Sequence, residues 1–522
     1  MTFTRRQFLQ ASAAASAAAA FPSLWLRAQQ ARALTQCEQG PVNLVIVQLG
    51  GGNDGLNMVI PKTDGTGHNR SAYNTFRPTI GVPASELQNT QVGNDPLHNG
   101  EVALHPHMNG LKALYDSGNV AVVLGAHYPN RSLDHDESER IWYRADPPLD
   151  GSSFGWMGRT LDDLCTGQPT AIPAVDTDSQ LTPLFYGNTA VLAFSSLSQL
   201  NFPTNGNLSS SDKSTYRTRF TNIYNAAASA GQNFVAPIGT TGGASVSRID
   251  AYKTVSANQS LAMNLNDLLN GTTKGGGGFG ISGVAQNSGA RNISLAKKLR
   301  LVFQLMKGQP QQPSGFSPLG CRIFRVSIGG FDSHSEQGIH VPLSTRSIDQ
   351  KVQFLVNGAQ APFDGEYHGK LLYWLDRSIA AFWQDCLEDT GPTPLYQNTL
   401  IMTFSEFGRR VLENGQGNGD PKAGTDHGTA APMFVVGPTA AQAGAGLSSI
   451  VGYGASAAQG MYGAHPEIDQ PHLDRDKNSV FQIDFRHVYG EIMTKWMGLS
   501  TSEANTILGA GGFSYSSPGF LT

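Results

Sequence analysis

The chain has 522 residues, of which 15% are charged, and its formal net charge at pH 7 is −4. Residues 1–33 contain four arginines and no acidic residue, so the remainder carries −8, which excludes a nucleic-acid-binding surface because phosphates require basic patches. The four cysteines (Cys37, Cys165, Cys321 and Cys386) share no close spacing, which excludes a zinc site of paired cysteines and leaves one or two disulfides of open pairing.

The first 33 residues predict an export signal. The stretch "TRRQFLQ" at 4–10 precedes an alanine-rich, weakly apolar run over 11–21, and "ARA" at 31–33 places small residues where signal peptidase requires them. We therefore expect the twin-arginine translocase to deliver a mature protein of residues 34–522 to the periplasm or the medium. The apolar run is too short for a membrane-spanning helix, so no stable membrane anchor is expected after cleavage. This route carries folded proteins, which favours a metal bound before export.

The rest of the chain alternates strand and helix patterns. Continuous apolar runs ending near glycine or polar residues predict buried strands at 42–49, 120–126, 323–330, 399–407 and 431–437. Helical patterns lie at 105–118, 294–308, 371–389 and 485–498. This alternation predicts one α/β domain over 34–522, with a doubly wound, mostly parallel sheet and helices on both faces. A Ser-, Asn-, Ala- and Gly-rich stretch at about 200–290 predicts a helical insertion.

Polar side chains follow four of these strands, where an open α/β sheet places its ligands. Carboxylates and imidazoles converging from several strand ends predict a divalent metal site, without distinguishing zinc, calcium and magnesium. The candidate ligands are Asp54, Asp332, His334, Glu406 and His427.

Each candidate also has a purely structural interpretation. An aspartate after a strand is often the N-cap of the next helix, and Ser132 could cap the helix "DHDESERIWYR" in the same way. A helix N-terminus is also a suitable place for a nucleophile that faces an anion. Arg409 and Arg410 could pair with Glu413 on a helix face.

Five ordered motifs resemble a known family. They are "LVIVQLGGGNDGLNMVIP", "RSLDHDESE", "VSIGGFDSHSEQ", "TFSEFGRRVLENG" and "GTDHGTAAPMFVVG". They closely resemble the signature blocks of a large family of twin-arginine-exported bacterial proteins, the domain of unknown function numbered 1501. The resemblance covers nearly all of the mature chain.

That family resembles the alkaline phosphatase and sulfatase superfamily. The resemblance implies that Asp54 is the metal ligand after the first strand, that Ser132 lies near the nucleophile position, and that His427 corresponds to the last histidine. It also implies that Asp332 and His334 correspond to a pair of metal ligands in the superfamily, an aspartate and a histidine that are separated by more residues. The sequence departs from the superfamily at Glu406-Phe407, where an Asp-His pair is expected, and it has no Cys-x-Pro-x-Arg motif, so a conventional sulfatase is not expected.

These patterns predict an exported, metal-dependent hydrolase that acts on a small anionic phosphate or sulfate ester. Ser132 would attack the ester, and Arg131, Arg409 or Arg410 would hold its non-bridging oxygens. The alternative is a non-catalytic exported scaffold or binding protein on a degenerate hydrolase fold, because a fold does not imply an activity.

Overall fold

The computed structural model describes residues 42–522 apart from 67–68, 150, 167–172, 197–208, most of 210–262, 271–293, 309–321, 336, 339–365, 392, 416–419, 421 and 456–458. The export signal predicted over 1–33, and most of the insertion predicted at about 200–290, lie outside the described residues. No helix in the described part of the chain is both long and apolar enough to span a membrane. Among the described cysteines, Cys386 is free and buried, and Cys165 is disulfide-bonded.

Most of the described strands join one mixed, mostly parallel sheet. In chain order the strands are β1 (Asn43–Gly50), β2 (Val59–Pro61), β3 (Gln91–Asn94), β4 (Glu101–Leu104), β5 (Val120–His127), β6 (Ala174–Asp176), β7 (Leu192–Ala193), β8 (Ile323–Gly329), β9 (Thr399–Phe404), β10 (Gly408–Arg409), β11 (His427–Gly428), β12 (Ala431–Val436), β13 (Met461–Gly463) and β14 (Ile483–Asp484). The main sheet has the order β13, β5, β12, β9, β1, β8, β6, β7, with β14 beside β5. Only β12 runs antiparallel to its neighbours in it. Strands β2 to β4 form a small separate sheet, and β10 pairs with β11.

Helices cover both faces of the main sheet. They are α1 (Asn69–Phe76), α2 (Asn109–Asp116), α3 (His135–Arg144), α4 (Trp156–Leu164), α5 (Met263–Asn270), α6 (Ser294–Gly308), α7 (Tyr367–Leu387), α8 (Phe485–Glu491) and α9 (Thr501–Leu508). Val45 and Val47 of β1 pack into a core with α2, α5, α6 and α7. Leu44 and Ile46 point the other way and pack with α3, α4, α8 and α9. Alternate residues of one central strand are thus buried on opposite faces, as its continuous apolar run predicts.

The five predicted strands are present as β1, β5, β8, β9 and β12, and the helix predicted at 294–308 is α6. The helices predicted at 105–118 and 371–389 span Asn109–Asp116 and Tyr367–Leu387, and two further boundaries differ for a local reason. Strand β9 ends at Phe404 because the next residues turn toward the end of β1, where Ser405 Oγ donates to the Leu49 carbonyl at 2.7 Å. The helix predicted at 485–498 is α only to Glu491 and continues as a π-helix over Ile492–Trp496.

The polar segments after the central strands begin side by side. Strand β1 lies between β8 and β9, with Gly50 opposite Gly329 and Gln48 opposite Phe404. Parallel strands end at the same edge of a sheet, so the segments after β1, β8 and β9 leave from one place. The short pair of β10 and β11 returns His427 opposite Arg409 at this edge.

Candidate metal centre

Three imidazoles and one carboxylate converge at the carboxyl edge of the sheet. Asp332 Oδ1 lies 3.1 Å from His334 Nε2 and 3.2 Å from His427 Nε2, and Asp332 Oδ2 lies 3.5 Å from His135 Nε2. The Nε2 atoms of His334 and His427 are 2.8 Å apart. One donor atom from each of His135, Asp332 and His427 lies within 4.8 Å of the other two. We call these four side chains the histidine–aspartate cluster.

Different elements deliver the members of the cluster. His135 is the first residue of α3, directly after the N-cap Asp134, whose side chain accepts the Glu137 amide. Asp332 and His334 follow β8, and His427 lies on β11. The turn after β1 packs closely on this segment. Gly51 has a φ of +114°, and a Cβ atom there would lie 2.4 Å from the Asp332 backbone nitrogen, so only glycine fits.

The Nδ1 atom of each of the three histidines forms a hydrogen bond with an oxygen atom. A carbonyl or ionised carboxylate oxygen can only accept a hydrogen bond, so each Nδ1 must carry the proton. In a neutral imidazole Nε2 is then unprotonated and directs its lone pair into the cluster. The three hydrogen bonds join His135 to Glu406 Oε1 at 3.1 Å, His334 to Asp426 Oδ1 at 3.1 Å, and His427 to the Leu133 carbonyl at 2.7 Å.

Two lone pairs therefore face each other between His334 and His427. At 2.8 Å neither unprotonated Nε2 can donate to the other, and the Asp332 carboxylate adds negative charge beside both. A cation at the centre of the group, either a proton or a metal ion, would remove this repulsion. Histidines whose Nδ1 atoms are fixed by outer oxygens, with Nε2 converging, are typical of metal ligands.

The surroundings favour the metal-binding protonation states of Asp332 and His427, whereas the pKa of His135 is shifted in the opposite sense. Burial alone would raise the pKa of Asp332, but the hydrogen bond and charge of Arg409, together with the neighbouring imidazoles, outweigh it and lower the pKa to about 2. Burial lowers the pKa of His427, with partial compensation from its hydrogen bonds. The hydrogen bond to Glu406 raises the pKa of His135 against the effect of its partial burial. Asp332 is thus ionised and His427 neutral at pH 7, as metal ligation requires.

Three of the five predicted metal ligands, Asp332, His334 and His427, lie together in the cluster. Glu406 lies behind it. Its carboxylate is 1% exposed, accepts the Gly51 amide at 2.7 Å and holds His135 Nδ1. Glu406 therefore contacts the cluster through an imidazole.

Asp54 lies outside the cluster. Its fully buried carboxylate forms an ion pair with Arg77 Nη1 at 2.6 Å and accepts a hydrogen bond from Gln337. Burial alone would raise the pKa of Asp54, but the Arg77 charge, with smaller contributions from other groups, lowers it. The Arg77 guanidinium is itself anchored on the carbonyls of Arg410 and Val411. A cation thus already neutralises Asp54.

Of the predicted catalytic side chains, Ser132 and Arg131 make no hydrogen bond or ion pair with the cluster, whereas Arg409 contacts it through Asp332. Ser132 Oγ donates to Glu137 Oε2 at 2.7 Å, and the next residue supplies the carbonyl that holds His427. Arg131 Nη2 lies 2.8 Å from carboxylate oxygens of both Asp474 and Asp476. The N-cap of α3 is Asp134 and not Ser132.

Arg409 and Arg410 lie on extended chain and not on a helix face. The Arg409 side chain is fully buried and donates to four backbone carbonyls and to Asp332 Oδ1 at 2.6 Å. Arg410 is 41% exposed, and its Nη1 lies 3.7 Å from Asp426 Oδ2. Glu413 instead accepts the backbone amides of Thr79 and Ile80.

His135 is the member of the cluster that sequence reasoning did not select. It lies in the motif "RSLDHDESE", where Asp-His-Asp after a strand suggests a helix start as readily as a ligand. Both interpretations are correct here, since His135 opens α3 and also faces Asp332. Its position one residue after the N-cap is the signal that could have found it.

A second group, of buried side chains, also contains residue types that bind metals, but its imidazole protons are placed differently. Both carboxylate oxygens of Glu366 contact an imidazole, that of His105 at 3.1 Å and that of His107 at 3.2 Å. The His107 amide donates to His105 Nδ1 at 3.2 Å, so the neutral His105 carries its proton on Nε2, directed at Glu366. A hydrogen-bonded group explains these contacts, whereas the three Nε2 atoms of the histidine–aspartate cluster converge on one carboxylate.

Comparison with protein families matches two parts of the chain. Residues 2–22 match the twin-arginine translocation pathway signal, which confirms the predicted export to the periplasm or the medium. Searches of curated proteins and of solved structures found no match, so the resemblance to alkaline phosphatases and sulfatases remains a prediction. Residues 364–509, which contain Glu406, Arg409 and His427, match the family described as "Protein of unknown function (DUF1501)".

Proposed function

We propose that this exported protein is a metal-dependent hydrolase of phosphate or sulfate esters, with one divalent ion held by the histidine–aspartate cluster. The convergence of three histidine Nε2 atoms on the Asp332 carboxylate is the observation that carries the proposal. The ester class rests on the predicted resemblance of the family that shares the five motifs to the phosphatase and sulfatase superfamily.

The residues of the cluster fit zinc best. Calcium and magnesium take oxygen ligands almost entirely, whereas three imidazole nitrogens and one carboxylate oxygen suit zinc. The proposed ligands are His135, Asp332, His334 and His427; Glu406 and Asp426 orient imidazoles, and Asp54 is no ligand because Arg77 neutralises it. A zinc ion bound there would supply Lewis acidity that polarises the ester oxygens.

The cluster is open to solvent, so a small ester can reach it. The side chains of Asp332 and His334 are 45% and 46% exposed. The buried group of His105, His107 and Glu366 is by contrast only 3–4% exposed. Substrate access therefore favours the histidine–aspartate cluster as the place of reaction.

Ser132 is the proposed nucleophile and Glu137 its proton acceptor. The Ser132 hydroxyl donates to the exposed Glu137 carboxylate at 2.7 Å, so attack on the ester and transfer of the hydroxyl proton to Glu137 can occur together. Ser132 adjoins Leu133, whose carbonyl holds His427, and this contact keeps the serine beside the cluster.

Arg410 is the proposed contact for the non-bridging oxygens of the ester. The sequence offered Arg131 and Arg409 for this role as well, but two carboxylates hold Arg131, and Arg409 is buried among carbonyls. Arg410 is partly exposed beside Asp426, and a guanidinium matches such oxyanions in pairs of hydrogen bonds. Arg131 and Arg409 then position the loops that border the cluster.

We expect Ser132→Ala to lower kcat for a phosphate or sulfate ester by at least about 100-fold without loss of bound metal, because covalent catalysis ends while the ligands remain. The measurement is turnover of a panel of both ester classes by zinc-loaded mature protein. Ser502→Ala, an exposed serine on α9, serves as the matched control. Unchanged turnover in Ser132→Ala would overturn the nucleophile assignment. Failure of the wild type to hydrolyse any ester would favour the non-catalytic alternative.

A further inference from the structure

A buried glutamine joins the two chain segments that carry His334 and His427. Gln337 is 1% exposed, and the two hydroxyl side chains that contact its carboxamide oxygen are buried as well. Its Oε1 atom accepts hydrogen bonds from Thr425 Oγ1 at 2.8 Å and from Ser333 Oγ at 3.3 Å. Ser333 directly precedes His334, and Thr425 lies two residues before His427. One amide oxygen therefore contacts both segments, and we call these contacts of Gln337 the glutamine link.

A buried ion pair holds the nitrogen end of the same carboxamide. Gln337 Nε2 donates to Asp54 Oδ2, the oxygen that also contacts Arg77 Nη1 at 2.6 Å. An ionised carboxylate can only accept hydrogen bonds, so this contact fixes which end of the amide is the nitrogen. Arg77 is anchored in turn on the carbonyls of Arg410 and Val411. The glutamine link is thus attached to a support outside the cluster, and Asp54 belongs to that support.

Backbone hydrogen bonds run alongside the glutamine link. The Gln337 amide donates to the Ala423 carbonyl, and the Thr425 amide donates to the Ser333 carbonyl, both at 3.1 Å. The link itself consists of buried polar side chains, which are costly to desolvate, so apolar side chains would fill the same space at lower cost. A buried polar network whose members are hydrogen-bonded rigidifies its surroundings in one arrangement. The arrangement fixed here is the relative position of the two segments.

The two segments carry imidazoles that repel each other when no cation lies between them. The Nε2 atoms of His334 and His427 are 2.8 Å apart, with a lone pair on each directed at the other. This repulsion would separate the two segments unless other contacts hold them together. The glutamine link supplies such contacts one residue before His334 and two residues before His427.

We propose that Gln337 is a positioning residue that holds His334 and His427 at the spacing for metal binding before the ion arrives, which rests on the proposed metal-dependent function. Ligands that are already in place need little reordering on binding, so such preorganisation raises affinity. Without the glutamine link the segments would relax apart, and zinc would have to draw them together again. Gln337 touches no ligand side chain and acts only through Ser333 and Thr425.

Gln337→Met and Thr425→Val test this role through zinc affinity, measured on the mature protein by competition with a chelator. Methionine fills similar volume without the amide and should lower the affinity by about tenfold or more, as loss of an outer partner does. Valine keeps the shape of Thr425 without its hydroxyl and should lower the affinity by about threefold to tenfold, the effect of one hydrogen bond. Thr425→Ser keeps the hydroxyl and should retain the wild-type affinity. Thr425→Val tests the same contact even where Gln337→Met does not fold.

Thr160→Val is the matched control for Thr425→Val. Thr160 on α4 is also fully buried, and its hydroxyl donates one hydrogen bond of 2.8 Å, to the Trp156 carbonyl. This variant should lose stability as Thr425→Val does but keep the wild-type zinc affinity. The visible absorption of the cobalt(II)-substituted proteins is a second readout, because it depends on ligand geometry. It should change in Gln337→Met and Thr425→Val and match the wild type in Thr425→Ser and Thr160→Val.

Wild-type zinc affinity and an unchanged cobalt spectrum in Thr425→Val would overturn the role of Gln337 and leave the metal centre intact. An equal loss of affinity in Thr160→Val would overturn it as well, because general destabilisation would then explain the result. Absence of zinc binding by the wild type would overturn the metal centre and the role of Gln337 with it.

Discussion

Replacement of His427 by alanine is expected to weaken zinc binding by at least about 100-fold, because it removes a ligand that faces both Asp332 and His334. Loss of an outer hydrogen-bond partner typically costs 10–100-fold in metal affinity, and loss of a ligand costs more. His427 Nδ1 is fixed by the Leu133 carbonyl, so no other described side chain is already oriented to replace it. The measurement is competition for zinc with a chromophoric chelator.

Asp426→Asn provides a graded comparison for that result. Asp426 touches His334 Nδ1 at 3.1 Å and orients that imidazole from outside the cluster. Its replacement should weaken zinc binding by about 10–100-fold, between the wild type and His427→Ala. His472→Ala, an exposed histidine whose ring contacts Glu467 and Asp469, should leave the affinity unchanged. Equal zinc affinity in all four proteins would show that the cluster holds no zinc.

Arg409→Met is expected to lower the free energy of unfolding by about 3–5 kcal/mol, the cost of removing one partner from a buried, hydrogen-bonded charge. The guanidinium ties together three segments at the sheet edge. It donates to the carbonyls of Gly51 and Gly52 after β1, of Phe331 after β8, and of Thr425 before β11. Methionine fills similar volume but leaves these carbonyls without that donor, and each such loss is costly in a buried site.

Urea unfolding of the metal-free protein measures this effect without a contribution from bound zinc. The neighbouring Arg410→Met is the matched control. Its guanidinium is 41% exposed and lies 3.7 Å from the nearest Asp426 oxygen, so we expect a change below about 1 kcal/mol. Similar losses in the two variants would show that the carbonyl contacts of Arg409 contribute little to stability.

The scaffold could be predicted from the sequence because buried strands and helices show local patterns of apolar residues. Residues 42–49, apart from Asn43 and Gln48, and residues 120–126 are apolar since β1 and β5 are covered on both faces, and glycine or polar residues mark where they end. The extent of α6 follows from helical periodicity alone. The π-helical turn after α8 leaves no such pattern and was not predicted.

The candidate site was predicted only in part because its partners are distant along the chain. Asp54 follows a strand as a ligand would, yet Arg77 neutralises it from 23 residues away, and nothing near Asp54 indicates this. Glu406 was grouped with the ligands, but its contact is with His135, which becomes its partner only when α3 packs over the end of β9. Strand ends indicate which segments meet, whereas the contacts decide which side chains touch a metal.

The metal content of the mature protein, purified after native twin-arginine export, tests the central claim most directly. Elemental analysis should find about one zinc ion per chain in the wild type and a small fraction of that in the His334→Ala/His427→Ala double variant, with both proteins folded. Absence of stoichiometric metal from the wild type, or equal metal content in the double variant, would contradict a metal centre at the histidine–aspartate cluster.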